Sequence, residues 1–171
     1  MRLPHHIAIY FGIGGNSKGA RSNLRAKVFG TLHKWVFPGV FDRSVKEAFR
    51  IQGAEFHGAS FCTIREADGF ELDEKKSCSW TAGEPLACRL PYAVHTPMLS
   101  WEKTAKFWEM NRAKTPKIPS VSERSFQRRI IGIEKSCTFT VDGQEEDAAS
   151  KVFKSDPNLE DMLDSGDAVW C

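Results

Sequence analysis

The sequence predicts an α+β fold in which a helical hairpin packs beside a small antiparallel sheet. Two stretches in the first third of the chain carry apolar residues at helical spacing, and two later stretches have the character of strands. The segments between them are irregular and rich in proline. Because 171 residues suit one domain with extensions, we expect a basic N-terminal arm over 1–21, a single α+β domain over 22–154 and an acidic C-terminal tail over 155–171.

The hairpin is predicted from residues 22–36 and 42–56. Five apolar residues of the first stretch share one helical face: Leu24, Val28, Leu32, Trp35 and Val36. The pair Pro38-Gly39 ends this helix, and Asp42 is a good N-cap for the next one. We expect the two helices to pack against each other, since each has an apolar face that needs a partner.

The antiparallel sheet is predicted from a β-hairpin over residues 60–74 and a strand over 131–141. The hairpin has its turn at 67–69, and the later strand alternates apolar with polar residues. A helix that begins after Thr96 and ends near Ala113 separates them, because four residues form one stripe: Met98, Trp101, Ala105 and Trp108. A short helix near 145–154 and a last acidic helical turn complete the chain.

A strand at residues 6–11 precedes the glycine-rich stretch Gly12–Gly19, an arrangement that proteins use to bind phosphate. A Walker A loop has the pattern Gly-x-x-x-x-Gly-Lys-Ser/Thr, whereas Lys18 here precedes Gly19 instead of following it. The dinucleotide pattern Gly-x-Gly-x-x-Gly, counted from Gly12, fails at Ser17. The sequence therefore favours a flexible loop or surface arm, with an anion site as the alternative.

Charge is unevenly distributed along the chain, although the net charge is only +2. Residues 1–41 contain six Lys and Arg residues and no acid, whereas residues 142–171 contain nine acids and two lysines. An acid-free basic segment with an amphipathic helix is typical of mitochondrial targeting. The alternative is an ordinary surface helix of a cytosolic protein. No apolar run approaches the length of a transmembrane helix, and the small net charge argues against a nucleic-acid binder.

The five cysteines are an odd number, and none belongs to a Cys-x-x-Cys motif. A single disulfide between Cys78 and Cys88 is one alternative, while reduced thiols are the default in an intracellular chain. No pattern assigns a catalytic group, a metal site or a cofactor. Among the five tryptophans, Trp80 and Trp170 lie in segments without an obvious core, so they are candidates for docking to a partner, with local packing as the alternative.

These features together predict a non-catalytic accessory subunit of a large mitochondrial inner-membrane assembly, either a respiratory chain complex or ATP synthase. Its partners would be the other subunits, and the basic stretch 112–129 allows a peripheral contact with anionic lipid. Two alternatives remain open. One is a mitochondrial ribosomal protein, and the other is a small phosphate- or nucleotide-binding enzyme that uses the Gly12–Gly19 loop.

Overall fold

Five parallel strands form the sheet around which the chain folds. The computed structural model describes residues 5–45, 53–66, 70–88, 92, 94, 97–114, 116–117, 124–140, 146–156 and 158–165. In chain order its strands and α-helices are β1 (Ile7–Gly12), α1 (Lys18–Phe29), β2 (His33–Val36), β3 (Phe61–Arg65), α2 (Glu74–Ala82), β4 (Leu86–Ala87), β5 (Met98–Leu99), β6 (Ala105–Asn111), α3 (Arg124–Gln127), β7 (Ile130–Lys135), β8 (Thr138–Thr140), β9 (Val152–Lys154) and α4 (Leu159–Ser165).

The sheet has the strand order β2-β3-β6-β1-β7, and all four neighbouring pairs are parallel. Strand β1 lies between β6 and β7, with Ile7 opposite Lys106 on one side and Ile130 on the other. Two small ladders, β4 with β5 and β8 with β9, lie outside this sheet. Because every strand of the main sheet runs in the same direction, all five carboxyl ends meet at one edge.

The predicted α+β class, with its helical hairpin and antiparallel sheet, is wrong, since the chain is an α/β protein with a parallel sheet. The clearest error is the helix predicted to end near Ala113, because that segment contains strand β6. Residues 105–110 are all buried, as expected for a central strand with both faces covered. A continuously buried strand also supplies apolar residues at helical spacing, so periodicity alone does not separate the two.

The first helix was predicted over 22–36, but the observed helix α1 begins earlier, at Lys18, and ends earlier, at Phe29. Helix α1 ends at Phe29, where Gly30 adopts a positive φ of 49°, and His33–Val36 is strand β2. The second helix was predicted over 42–56, and the structure describes only its two ends. Residues 42–45 form a turn, and Ala54–Phe56 is a short 3₁₀ helix. Residues 46–52 lie outside the described part of the chain.

The predicted β-hairpin over 60–74 contains one real strand, β3. Its second half forms only isolated bridges, from Leu72 to Asp42 and from Glu71 to Lys117, and its turn at 67–69 lies outside the described residues. Asp73 then caps helix α2 by accepting a hydrogen bond from the Lys76 amide. The predicted strand 131–141 is divided into β7 and β8, and the predicted helix near 145–154 contains strand β9.

The two faces of the sheet are covered in different ways. On one face is an apolar core in which the Phe41 ring packs against two tryptophans, with its centroid 4.7 Å from that of Trp80 and 5.9 Å from that of Trp108. On the other face helix α1 covers a small cluster around Phe107. None of the helices in the described ranges is long and apolar enough to cross a membrane.

A buried histidine at the start of β2 makes the stability of this fold depend on pH. The Nε2 atom of His33 lies 2.9 Å from the Thr63 hydroxyl. Burial, followed by the positive charges of Arg25 and Arg65, lowers the pKa of His33 to about 4 from 6.5. Between these two values the unfolded chain binds a proton that the folded chain does not bind.

We therefore expect the free energy of unfolding to fall by about 1–2 kcal/mol as the pH is lowered from about 6.5 to about 4.5. Urea unfolding at a series of pH values measures this change. The variant His33→Gln should lose most of this pH dependence, whereas the exposed control His57→Gln should retain it. Equal pH dependence in the wild type and His33→Gln would show that another group is responsible.

Candidate phosphate-binding site

The loop between β1 and α1 lies at the carboxyl edge of the sheet and turns the chain from strand into helix within five residues. Two of its residues have left-handed backbones, Gly15 with φ 70° and Ser17 with φ 56°. The first hydrogen bond of the helix runs from the Arg21 amide to the Ser17 carbonyl over 3.1 Å. The N-terminus of a twelve-residue helix thus faces this loop, and such a terminus attracts anions.

Gly12, at the end of β1, has no room for a side chain. A Cβ atom at this position would overlap the Asn16 side-chain nitrogen and the backbone oxygen of Lys135. The buried Asn16 amide lies 3.5 Å from the same Lys135 oxygen, so the loop packs tightly against the end of β7. A glycine is therefore required here for steric reasons rather than for flexibility.

Lys18, the first residue of α1, carries the positive charge of the loop. Its Nζ atom donates to the Asn16 side-chain oxygen over 2.6 Å and to the Ile13 carbonyl over 3.3 Å. Burial lowers the pKa of Lys18, and the negative charges of Glu109 and Glu66 oppose that change. An anion in the loop would favour the charged ammonium in the same way as these carboxylates.

A pocket of about 430 Å³ opens beside this loop. Its walls are residues 14–19 together with Arg65, Glu66, Glu109, Met110 and Asn111. The strand order explains this grouping, because β6 pairs with both β1 and β3, and their carboxyl ends are adjacent. Strand β3 contributes Arg65 and is followed by Glu66, while Asn111 ends β6.

The Glu66 carboxylate, in the wall of the pocket, is already engaged by neighbouring side chains. Lys114 lies 3.3 Å from one of its oxygens, and the Asn111 amide lies 3.5 Å from the other. Lys114 belongs to the basic stretch 112–129 noted from the sequence, whereas Arg65, Glu66 and Asn111 were not singled out. The feature that could have identified them is a polar residue at or directly after the end of each buried strand, which is where parallel sheets bind ligands.

Glu109, which is also in the wall of the pocket, is buried on the face of the sheet that α1 covers. Arg25 donates a hydrogen bond to its Oε1 atom, and Arg21 lies 3.7 Å from the same oxygen. The two guanidinium groups stack on aromatic rings of the sheet, Arg21 on Tyr10 at 3.7 Å and Arg25 on Phe107 at 4.5 Å. Two cations and one carboxylate therefore link the first turns of α1 to strands β1 and β6.

Counting the Walker A pattern from Gly12 corrects the comparison made above. Counted from Gly12, the pattern places its lysine at position 18, where this chain has Lys18. The mismatches are Ser17, at the position of the second glycine, and Gly19, at the position of the hydroxyl residue. Ser17 nevertheless adopts the left-handed backbone that suits glycine, so the loop follows a strand–loop–helix path despite the substitution.

The other residues singled out from sequence lie away from this pocket. Trp80 is on α2 with its ring in the core, 2% exposed. Cys78 is half-buried and Cys88 is buried, and both carry free thiols. Burial raises the pKa of Cys88. Trp170 lies outside the described residues.

No family model matches the chain, and no sequence among the curated proteins matches it. Among solved structures the chain is similar to an A-form apo structure of the NrS-1 C terminal region, with a TM-score of 0.57 and 16% identity over 78% of this chain and 30% of that one. A second A-form apo structure of that region matches with a TM-score of 0.56 and 12% identity over 95% of this chain and 34% of the other. The chain thus spans about a third of the structures it matches, and the likeness is one of fold alone.

The steric constraint at Gly12 gives a test of the loop geometry. We expect Gly12→Ala to lower the free energy of unfolding by about 1–3 kcal/mol, because backbone atoms of β7 must move. The matched control is Gly14→Ala, since no atom lies within 4 Å of a Cβ added there. Chemical denaturation of both variants measures the difference, and equal stabilities would contradict the packing of the loop against Lys135.

The left-handed backbone of Ser17 gives a second test. We expect Ser17→Gly to raise the free energy of unfolding by about 0.5–1 kcal/mol, because glycine adopts this conformation without the steric cost paid by other residues. The control Ser79→Gly, inside helix α2, should lower stability by a similar amount. Thermal and urea unfolding measure both effects, and a loss of stability in Ser17→Gly would contradict the conformation described here.

Proposed function

We propose that this chain binds the phosphate groups of a nucleoside di- or triphosphate in the pocket beside the β1–α1 loop. The observation that carries the proposal is the position of Lys18. It is the first residue of a helix that follows a glycine loop at the carboxyl end of an inner parallel strand. Helix amides and a lysine at such a position attract phosphate together.

The size and charge of the pocket support a nucleotide rather than a single phosphate. A volume of about 430 Å³ lies within the range of small-molecule sites. The two carboxylates in its walls are partly neutralised, Glu66 by Lys114 and Glu109 by Arg25. Lys18 and Arg65 therefore remain as the cations that face a polyphosphate chain.

This proposal selects the third of the functions considered from sequence, the phosphate- or nucleotide-binding one. The accessory role in a mitochondrial inner-membrane assembly and the ribosomal role stay predictions from composition. Neither makes use of the loop and the pocket, whereas nucleotide binding gives a reason for the arrangement of Gly12, Asn16 and Lys18.

Isothermal titration calorimetry of the full chain with ADP and ATP tests the proposal. We expect saturable binding at one site, and we expect Lys18→Ala to weaken it by about 10–100-fold, because a charge-assisted contact to phosphate is lost. The matched control is Lys103→Ala. Lys103 is exposed in the turn before β6 and lies at the opposite edge of the sheet.

Three results are decisive. No binding of either nucleotide would overturn the proposal, as would equal binding by the wild type and Lys18→Ala. Pyrophosphate that binds as tightly as ADP would restrict the site to simple anions, since the nucleoside would then contribute nothing.

A further inference from the structure

The residue after Lys18 lacks the side-chain group that phosphate loops normally use to hold a metal ion. In the full Walker A pattern a Ser or Thr follows the lysine, and its hydroxyl binds Mg²⁺. Gly19 occupies that position and has no side chain. The backbone there leaves room for one, since no atom lies within 4 Å of an added Cβ. The hydroxyl is thus missing although there is space for the Cβ atom that would carry it.

Arg65 is held next to Gly19 by hydrogen bonds to helix α1. The Nη2 atom of Arg65 donates to the Gly19 carbonyl over 3.4 Å and to the Ser22 hydroxyl over 2.8 Å, and it also bonds to the Asn23 side chain. The guanidinium stacks on the Trp35 ring, 4.0 Å from its centroid. The carboxyl end of β3 is thereby held against the first turns of α1, with a permanent positive charge in the wall of the pocket.

The two carboxylates that the structure describes in the wall of the pocket are paired with cations of the protein. Glu66 is paired with Lys114, and Glu109 with Arg25. One Glu109 oxygen, Oε2, has no hydrogen-bond partner among the described residues, but Arg25 offsets the charge of that carboxylate. A metal ion bound by either carboxylate would compete with a cation that is already in place.

We propose that Arg65 contacts the phosphates where a divalent ion acts in other loops, so that this chain binds nucleotide without a metal ion. The inference rests on the nucleotide-binding function proposed above. A guanidinium suits this role because it presents several N–H donors in a planar fork that matches two phosphate oxygens. Only Nη2 is used in the bonds to α1, which leaves the other side of the fork for a ligand.

The test is a titration of the full chain with ADP in EDTA and again in excess MgCl₂. We expect the two dissociation constants to agree within about threefold, since the protein supplies the cation. In EDTA, Arg65→Gln should weaken binding by about tenfold or more, because a charge-assisted contact is lost. The control Arg43→Gln removes an exposed arginine that pairs with Glu71, and it should leave binding unchanged.

Arg65 also holds α1, so a variant that retains the charge is needed beside Arg65→Gln. Arg65→Lys should keep binding in EDTA closer to that of the wild type than Arg65→Gln does, and thermal unfolding shows whether each variant is folded. In Gly19→Ser the restored hydroxyl should make binding tighter in MgCl₂ than in EDTA by several-fold.

The outcomes separate this inference from the proposed function. Wild-type binding that requires MgCl₂ would overturn the role of Arg65 and leave nucleotide binding standing. Unchanged binding by a folded Arg65→Gln variant would do the same. No binding in either buffer would overturn both.

Discussion

The parallel pairing of β1 between β6 and β7 is the constraint on which the rest of the structure depends. Parallel strands must be joined by connections that cross over the sheet, and both faces of the sheet must then be covered. One face is covered by the apolar core that contains Trp80 and Trp108. The shared direction of the strands also places the β1–α1 loop next to the ends of β3 and β6. The pocket thus follows from the topology.

The face beneath α1 is covered by charged side chains to an unusual degree. Arg21 and Arg25 lie over aromatic rings of β1 and β6, and both are close to the buried Glu109 carboxylate. A buried carboxylate is tolerated only when cations and hydrogen bonds compensate for lost water. Helix α1 is consequently fixed in orientation as well as in position, because the arginines reach Glu109 only from one rotation of the helix. That orientation sets where Lys18 and Gly19 lie.

Sequence reasoning located the first strand and the glycine-rich stretch after it, and both lie where a strand and a loop were expected. The prediction failed where a strand carries apolar residues at the spacing expected of a helix. Leu32, Trp35 and Val36 continued the helical spacing of α1 although the chain ends the helix at Gly30 and begins β2. Strand β6 was taken for a helix because it is buried on both faces. Local composition carries no information on which strands become neighbours, so the parallel sheet was not foreseen.

The residues of the candidate site also divide into those that the sequence revealed and those that only the fold revealed. The lysine of the loop was visible in the sequence, but only the structure shows that Gly12 has no room for a side chain and that Ser17 adopts the left-handed backbone that suits glycine. Arg65, Glu66 and Asn111 were invisible as a group because they are brought together by strand order alone. By contrast, the residues chosen for their type, Trp80 and the two cysteines, lie elsewhere in the fold. A residue type points to a site only when the topology that gathers its neighbours is known.

The contact between the loop and the end of β7 has a consequence for the order of events on the ribosome. Asn16 bonds to the Lys135 carbonyl, 119 positions later in the chain, and the Phe139 amide donates to the Gly15 carbonyl over 2.6 Å. The loop is synthesised well before these two partners, so its final hydrogen bonds wait for residues more than 100 positions later. Until these residues leave the exit tunnel, the nascent chain has the lysine and the glycines without their shape. If the loop binds nucleotide as proposed, a nascent chain that lacks these residues would therefore not compete with the folded protein for it.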